Sequence, residues 1–260
     1  MANSSSENTI PYKKATFCKG CWQNMHMPIP IRGALSIPFR LAGIKISRMN
    51  PNLCTICETQ FTRVKHSKQI TTDLTVLFAD LRGYTGISQN SDSSEVSNML
   101  NVFYDQCASA IWERDGIINK FMGDSVFAVF NFPIGQKDHV RQAVLAAIEI
   151  QKRCAEKKLQ VKNLEGKDCE MGVGIGIHTG STSVGEVGTA YKDFTVIGNV
   201  VNLASRMQGA AQIGEILVTD DVYRHVSDLF PDSQMRDYNV KGIDLPVQAH
   251  PIAKSPVLNS

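Results

Sequence analysis

The apolar and polar positions from residue 73 onward repeat with regular periods that predict secondary structure. The segment "DLTVLFAD", residues 73–80, is apolar on both faces and ends in a carboxylate, which predicts a buried strand. Asp92 and Glu95 have the spacing of a capping box and predict the start of a helix. The apolar positions of this helix recur at intervals of three and four and predict one buried face: Val96, Met99, Leu100, Phe103, Cys107, Ala110 and Ile111.

The rest of this pattern completes an α+β arrangement. The run "INKFMGDSVFAVFN" predicts a β-hairpin with Gly123 and Asp124 in its turn. A second helix is predicted at 138–158, strands at "EMGVGIGIHTG" and "GEILVT", and a strand "FTVIG" before a helix that begins near Asn199. The order β-α-β-β-α-β predicts a ferredoxin-like sheet with helices on one face. The alternating glycines lack the GxGxxG spacing of a dinucleotide loop, and His178 among them is expected to be hydrogen-bonded in the sheet.

The first sixty residues have a different pattern, in which cysteine and proline recur. Cys18 and Cys21 form "CKGC", and Cys54 and Cys57 form "CTIC" after a gap of 32 residues. Two residues between the cysteines of a pair let both thiolates bind one ion, and a second pair completes a tetrahedral four-sulfur site. We expect a structural zinc ion there, with an iron–sulfur cluster as the second interpretation and four free thiols as the third.

The segment between the two pairs, residues 28–49, mixes basic and apolar residues. Its prolines prevent one long helix. Arg32, Arg40, Lys45 and Arg48 lie among Ile, Leu and Phe, a mixture that is also typical of segments that bind a membrane surface or a partner. We favour a small module that wraps its apolar residues around a metal site over membrane association.

The change of pattern near a polar and basic stretch predicts how the chain is divided. We expect a disordered N-terminus at 1–14, a Cys-rich metal-binding module at 15–61, a linker at 62–72, the main domain at 73–252 and a tail at 253–260. The module is expected to be a separate unit, so that loss of its metal leaves the downstream fold able to form.

Composition places the chain among globular proteins and excludes some partners. Of its 260 residues 43% are hydrophobic and 20% charged, as in soluble domains. The net charge of +2 does not favour nucleic acid as a partner. No run of 18 apolar residues is present and "MANSSSENT" lacks the features of a signal peptide, so a cytoplasmic protein is expected. Disulfides are then not expected, and Cys107, Cys154 and Cys169 are predicted to be core or near-surface thiols.

Two carboxylates fall where neighbouring strands of the predicted sheet end or turn. Asp80 ends the first strand, and Asp124 lies in the hairpin turn. Hard oxygen ligands suit Mg2+ or Mn2+, whose coordination is completed by waters and by the phosphates of a substrate. The alternative is that Lys120 and Asp124 are simply charged residues at the tip of a hairpin.

A third element, "YKDFTVIGNVVNLASRMQ", adds an amide and a guanidinium. Asn202 and Arg206 are four residues apart on the predicted helix and therefore share one face, where they are suited to bind a ribose and a phosphate. Val201, Leu203 and Ala204 predict that this helix is packed in the core, where an asparagine needs a functional reason. The alternative is that Arg206 is a solvated surface residue.

Five segments, in this order, resemble the catalytic domains of class III nucleotidyl cyclases, the adenylyl and guanylyl cyclases. They are "VLFADLRGYTG", "NKFMGDSVFAVF", "GIGIHTG", "FTVIGNVVNLASRMQ" and "NVKGIDLPV", and together they span about residues 70–252. The Cys-rich front resembles a module found ahead of some bacterial cyclase domains. The resemblance implies a palm-like α+β fold and two-metal-ion catalysis with Mg2+ or Mn2+.

The resemblance also implies roles for single residues. Asp80 and Asp124 match the two metal-binding aspartates, and Asn202 and Arg206 match the pair that stabilises the transition state. The remaining matches are to substrate-binding positions: Lys120 and its companion Thr195 at the purine, Lys241 at the terminal phosphates, and Lys192 where many relatives carry an arginine that contacts phosphate.

The identity of the purine-reading pair implies the substrate. Guanylyl cyclases usually carry Glu and Cys at these positions, whereas Lys120 and Thr195 fit ATP, because a lysine donates to adenine N1 and a hydroxyl bonds the exocyclic amine. The resemblance therefore implies an adenylate cyclase that acts as a head-to-tail homodimer with sites shared between two chains. A guanylate cyclase is the alternative, as is a redox- or metal-sensing regulator whose output is the cyclase.

Overall fold

The computed structural model describes residues 14–58, 70–88, 91–157, 160–162, 168–187, 193–238 and 246–252. Within these ranges eight strands form one sheet in the order β2-β3-β1-β6-β8-β10-β9, with β7 paired to β6, and β4 and β5 form a separate pair. The strands are β1 Ile70–Arg82, β2 Ile117–Met122, β3 Ser125–Phe130, β4 Gln160–Lys162, β5 Asp168–Glu170, β6 Gly172–Val187, β7 Asp193–Ile197, β8 Ile216–Thr219, β9 Arg236–Tyr238 and β10 Val247–Ile252.

The described helices lie on both faces of this sheet and at its edge. They are α1 Lys19–Met25, α2 Ile37–Leu41, α3 Tyr84–Ser88, α4 Ser93–Glu113, α5 His139–Glu156, α6 Asn199–Ala210 and α7 Asp220–Tyr223, with a short 3-10 helix at Ala34–Ser36. The order of elements fits the predicted α+β plan, but the expectation that helices cover one face of the sheet is wrong, because α4 and α5 pack on one face and α6 packs on the other. Asp92 is the N-cap of α4 and accepts a hydrogen bond from the Ser94 N–H at 2.8 Å, as the capping pattern predicted.

The central strand β1 is apolar on both faces because both faces are covered. It pairs antiparallel with β3 and β6. Leu77, Ala79 and Leu81 point into a core formed with α4 and α5. Leu74, Val76 and Phe78 point into a second core on the opposite face. Asp80 follows Phe78 by two residues and therefore lies on the face of this second core.

Helix α6 lies on the face of the second core and comes very close to β6. An added Cβ at Gly176 would lie 2.1 Å from the backbone nitrogen of Gln208, so only glycine lets the helix approach this far. Among the alternating glycines of β6, Gly176 therefore serves helix packing. His178 in the same strand lies 2.8 Å from the Thr219 hydroxyl, which confirms its predicted hydrogen-bonded place in the sheet.

The Cys-rich module packs directly against the sheet. Its four cysteines and Leu53 belong to the same apolar core as Val76, Phe78 and Phe127. The module also completes hydrogen bonds at the sheet's edge strand: the Met49 carbonyl accepts from the Ile118 N–H at 3.0 Å and from the Trp112 indole N–H at 2.7 Å. The sequence predicted a separate unit; among the described residues, the module and the sheet share one apolar core.

Further polar contacts fix the same junction. Lys19 forms an ion pair with Asp115 at 2.5 Å. The Asn50 side chain donates to the Gly116 carbonyl at 2.8 Å, and the Asn24 side chain donates to the Pro133 carbonyl at 3.0 Å. All of these partners in the main domain lie at the start of β2 or just after β3. The module therefore holds both ends of the hairpin that carries Asp124.

Several sequence predictions concern the borders of these elements. The expected disordered N-terminus and the C-terminal tail lie outside the described residues, apart from residue 14. β1 already begins at Ile70, so the last three residues of the expected linker belong to the strand. Cys107 and Cys154 are buried, as predicted for core thiols, whereas the side chain of Cys169 is not described. Within the described residues, no helix has the length and apolar content needed to cross a bilayer.

Candidate active site and four-cysteine centre

The two candidate metal ligands lie side by side. Asp80 is opposite Ser125 in the pairing of β1 with β3, and Asp124 directly precedes Ser125 in the hairpin turn. The Leu81 N–H donates to the Asp124 carbonyl at 3.1 Å, which fixes the turn against the end of β1. Both aspartates are partly exposed. The arrangement thus presents two carboxylates from adjacent strands at one accessible place.

The electrostatics of this pair favour a cation. Burial and the neighbouring Asp124 carboxylate raise the pKa of Asp80 to about 6, although Arg82 acts in the opposite direction. Because this pKa lies above its ordinary value, ionising Asp80 destabilises the fold near neutral pH, and protonation below about pH 6 relieves that cost. A divalent ion between the carboxylates offsets their repulsion in the same way. Two carboxylates with room for water and substrate oxygens fit Mg2+ or Mn2+.

Arg82, which the sequence did not single out, contacts Asp80 directly. Its guanidinium bonds Asp80 Oδ2 at 3.2 Å and also donates to the Gln208 carbonyl near the end of α6. An added Cβ at Gly174 would lie 2.5 Å from Arg82 Nε, so this glycine leaves the space that the guanidinium occupies. Arg82 therefore fixes one carboxylate oxygen of Asp80 and connects it to α6.

Tyr104 contacts the hairpin turn that carries Asp124, and the sequence did not single it out. Its hydroxyl donates to the Gly123 carbonyl, next to Asp124, and its ring lies 4.3 Å from the ring of Phe121 between centroids. Tyr104 lies outside the apolar positions that predicted the buried face of α4. Its contacts with the hairpin join residues that are distant in sequence, so the local sequence pattern around Tyr104 does not predict them.

The predicted substrate-binding residues are described to different extents. Lys120 lies in β2 opposite Phe127, just after a β-bulge, on the same hairpin as Asp124. Thr195 lies in β7, where its backbone pairs with Gly185, but its side chain is not among those described. Lys192 and Lys241 lie outside the described residues.

Asn202 and Arg206 lie on the outer side of α6. The residues that α6 buries include Val200, Ala204 and Met207, whereas Asn202 is exposed and Arg206 is half-buried. The expectation that Asn202 lies in a packed core is therefore wrong, because the apolar face of the helix is turned away from it. Within the described part of the chain, Arg206 forms no ion pair with Asp80 or Asp124. The pair is available to a ligand that approaches from outside.

The four predicted cysteine ligands converge on one point. Cys21 Sγ lies 3.4 Å from Cys54 Sγ and 3.5 Å from Cys57 Sγ, and Cys18 Sγ lies 3.5 Å from Cys57 Sγ. The four sulfur atoms all lie within 4.8 Å of one another, and all four residues are buried. These separations are far above a disulfide bond of about 2.05 Å. They are close to the spacing of about 3.8 Å between sulfurs bound tetrahedrally to one zinc ion.

Local structure brings the cysteines together. Cys18 is the N-cap of α1 and accepts from the N–H groups of Cys21 and Cys54, at 3.5 and 3.2 Å. An added Cβ at Gly20 would lie 2.7 Å from Cys57 Sγ, so the glycine of "CKGC" admits the second pair. Burial and the nearby Cys54 raise the pKa of Cys21. Four ionised thiolates in this space therefore need a cation at their centre.

Comparison with known proteins agrees with this geometry. The family model "Adenylate and Guanylate cyclase catalytic domain" matches residues 66–253. This chain belongs to that family and carries a class III cyclase catalytic domain. It is 38% identical to an adenylate cyclase of Anabaena cylindrica over 160 residues, which cover 59% of this chain and 31% of that protein. It is 34% identical to adenylate cyclase 1 of Rhizobium meliloti over 138 residues, 53% of this chain and 20% of that protein.

Solved cyclase structures share the fold over most of the chain. The crystal structure of the adenylyl cyclase CyaB from P. aeruginosa is 29% identical, with a TM-score of 0.62, and the match covers 72% of this chain and 96% of that one. The guanylyl cyclase Cya2 is 28% identical, with a TM-score of 0.64, over 75% and 98% of the two chains. The present chain matches only about a third or less of the length of the two curated adenylate cyclases.

Proposed function

We propose that this chain is an adenylate cyclase, which converts ATP into 3′,5′-cyclic AMP and pyrophosphate. The observation that carries the proposal is the β2–β3 hairpin, which places Asp124 beside Asp80 and carries Lys120 on the strand that leads to the turn. One hairpin thus carries both a metal-binding carboxylate and the residue that matches the purine-reading position, which in the proposed homodimer belong to two different active sites. The two adenylate cyclases that share 38% and 34% identity support the choice of ATP.

The chemistry follows from the properties of these side chains. The ATP 3′-hydroxyl attacks the α-phosphorus in line, the bond to the pyrophosphate oxygen breaks, and the hydroxyl proton passes to water or to a substrate phosphate. Asp80 and Asp124 bind the divalent ions, with Arg82 holding the Asp80 carboxylate and Tyr104 holding the backbone of the turn that precedes Asp124. Two divalent ions at this place would lower the pKa of the 3′-hydroxyl and neutralise the leaving phosphates.

The remaining proposed roles concern charge and orientation. Arg206 stabilises the negative charge that develops on the α-phosphoryl oxygens, and Asn202 orients the ribose. Lys241 contacts the terminal phosphates. Lys192 assists at the phosphates as a single point charge, without the two-pronged contact that an arginine would give.

Base selectivity gives a direct test of the substrate. We expect the double variant Lys120→Glu with Thr195→Cys to lose ATP turnover by roughly 10- to 100-fold, because an unpaired buried polar group costs about 1–3 kcal/mol. A gain in GTP turnover is the smaller effect, since it also requires the purine to be repositioned. Initial rates with each nucleotide measure the change. Lys137→Glu is the matched control, because it also reverses the charge of a lysine, here an exposed one that follows β3. Full ATP activity in the double variant would show that Lys120 is only a charged residue on a hairpin.

The outward position of Asn202 and Arg206 supports a site shared between two chains. In the proposed head-to-tail homodimer, one chain contributes Asp80 and Asp124, and the other contributes Lys120, Thr195 and the α6 pair. A guanylyl cyclase domain from Blastocladiella emersonii is described as a non-canonical dimer in one crystal structure and as monomeric in another. The assembly of the present chain therefore needs its own test.

Complementation supplies that test. We expect Asp80→Ala chains and Arg206→Ala chains to be inactive alone and to recover about a quarter of wild-type activity when mixed equally, because half of the dimers are mixed and each has one intact site. A mixture of Asp80→Ala with Asp124→Ala is the control, since both losses fall on the same half of a site and no dimer is complete. If exchange of subunits is demonstrated and the mixture of Asp80→Ala with Arg206→Ala stays as inactive as the control, sites built from two chains are ruled out.

For the four-cysteine centre we propose a structural zinc ion. All four sulfurs lie within 4.8 Å of one another, which suits one ion, whereas an iron–sulfur cluster holds its cysteines farther apart because they bind different irons. The centre is closed, with four thiolate positions and none left for substrate. Its contacts with the start of β2 favour a second role, in which metal loss or thiol oxidation lowers cyclase activity through the hairpin.

A further inference from the structure

The Cys-rich module carries an exposed group of large apolar side chains that the metal site does not use. Leu35 is 69% exposed, Ile37 55%, Leu41 84% and Ile46 41%. Isolated exposed apolar residues are ordinary on a protein surface, but these four fall within twelve residues of sequence. We name them, together with Arg40, Lys45 and Arg48, the apolar–basic surface.

The local fold turns these side chains outward. Ile37 and Leu41 are four residues apart on α2 and share one face, while Phe39 packs inward against the module's core. Gly33 and Gly43 flank the segment with φ angles of 76° and 84°, and an added Cβ at either would meet nothing within 4 Å. The short apolar helix α2 is therefore flanked by two glycine turns, and its Ile37 and Leu41 side chains face solvent.

Basic residues predominate around this helix. Residues 14–58 contain six lysines and arginines and one acidic residue, Glu58, whose carboxylate accepts a hydrogen bond from the Arg48 backbone N–H at 3.3 Å. Lys19 is paired with Asp115, and Arg32 donates to the Ala15 and Pro51 carbonyls. Arg40, Lys45 and Arg48 are exposed and form no ion pair with another described residue. The apolar–basic surface therefore combines apolar side chains with three available cations.

We propose that the apolar–basic surface binds the surface of an anionic lipid bilayer. Leu35, Ile37 and Leu41 enter the boundary between headgroups and acyl chains, and the cations lie among the lipid phosphates. A second copy of the chain is a poor occupant, because contact between the same surfaces of two copies would bring the cations together. The sequence pattern alone favoured a module wrapped around a metal, and the outward position of these side chains is what changes that preference. The proposal does not depend on the cyclase activity.

Vesicle flotation with the purified full chain tests the proposal. The chain is expected to float with vesicles that contain phosphatidylglycerol at least about tenfold more than with phosphatidylcholine vesicles, and added salt is expected to weaken the binding. Two variants are expected to abolish it: the triple variant Leu35→Ser, Ile37→Ser, Leu41→Ser, and the double variant Arg40→Glu, Lys45→Glu. Met235→Ser and Lys137→Glu remove an exposed apolar residue and an exposed cation elsewhere and should leave it unchanged.

Other outcomes overturn the proposal. Equal binding to both kinds of vesicle, no binding to either, or unchanged binding by the triple variant would each do so. Light scattering gives a further check, because every variant should keep the wild-type molar mass. If the triple variant reduces the molar mass, the apolar–basic surface is an interface between copies of this chain and not a bilayer contact. Metal content and thermal unfolding verify that each variant is folded.

Discussion

Asp80→Ala or Asp124→Ala is expected to abolish cyclic nucleotide formation, with turnover reduced at least about 1000-fold. Asp80 and Asp124 are adjacent across β1 and the hairpin turn, so either loss leaves a single carboxylate for the divalent ions. The fold should survive, because both side chains are partly exposed and ionising Asp80 is already unfavourable beside Asp124. Cyclic nucleotide produced per minute, at several Mn2+ concentrations, is the measurement.

The control for these variants is Asp105→Ala, which removes an exposed carboxylate from α4. It is expected to keep wild-type turnover and stability. Binding of Mn2+, followed by its electron paramagnetic resonance signal, should weaken in the two active-site variants and not in the control. Turnover close to wild type in either Asp80→Ala or Asp124→Ala would refute the assignment of the catalytic metal site.

Cys54→Ser is expected to release the bound metal and to lower the free energy of unfolding of the whole chain by at least about 3 kcal/mol. Cys54 is fully buried, and its Sγ lies 3.4 Å from Cys21 Sγ in the four-cysteine centre. The centre shares its apolar core with Phe78 and Phe127 of the sheet, so its loss should weaken the catalytic domain as well. The sequence had indicated instead that the downstream fold would be independent of the module.

Metal analysis and denaturant unfolding measure these effects together. Cys154→Ala is the matched control, because it removes a buried thiol from the core on the other face of the sheet. It should keep one metal per chain. Its free energy of unfolding should fall by only about 1 kcal/mol, because removing the thiol leaves a small cavity. A Cys54→Ser chain with stoichiometric metal and unchanged stability would contradict the proposed centre.

The predictable parts of the fold are those that depend on the local periodicity of apolar and polar residues. The apolar run of β1, the Asp92 cap of α4 and the hairpin around Gly123 depend on residues close in sequence. The two cysteine pairs were equally clear, because their two-residue spacing is itself a chemical requirement. For these elements, the secondary structure that the local sequence prefers is the same as the one that packs in the fold.

The parts that could not be predicted depend on contacts between distant residues. Arg82 meets the Gln208 carbonyl 126 residues further on, and Met49 meets Ile118 at the edge of the sheet. Neither contact changes the period of the surrounding sequence. The outward position of Asn202 was missed for a related reason: α6 buries Val200 and Ala204, and the pattern of the helix alone did not identify which side faces the sheet.

Turnover of the purified chain with ATP and with GTP, each with Mg2+ or Mn2+ and with the products separated by chromatography, tests the proposed activity itself. We expect cyclic AMP and pyrophosphate in equal amounts from ATP, with much slower turnover of GTP, because Lys120 and Thr195 present hydrogen-bonding groups that suit adenine. Cyclic GMP as the main product, or no cyclic nucleotide from a folded and metal-loaded chain, would contradict the proposed activity.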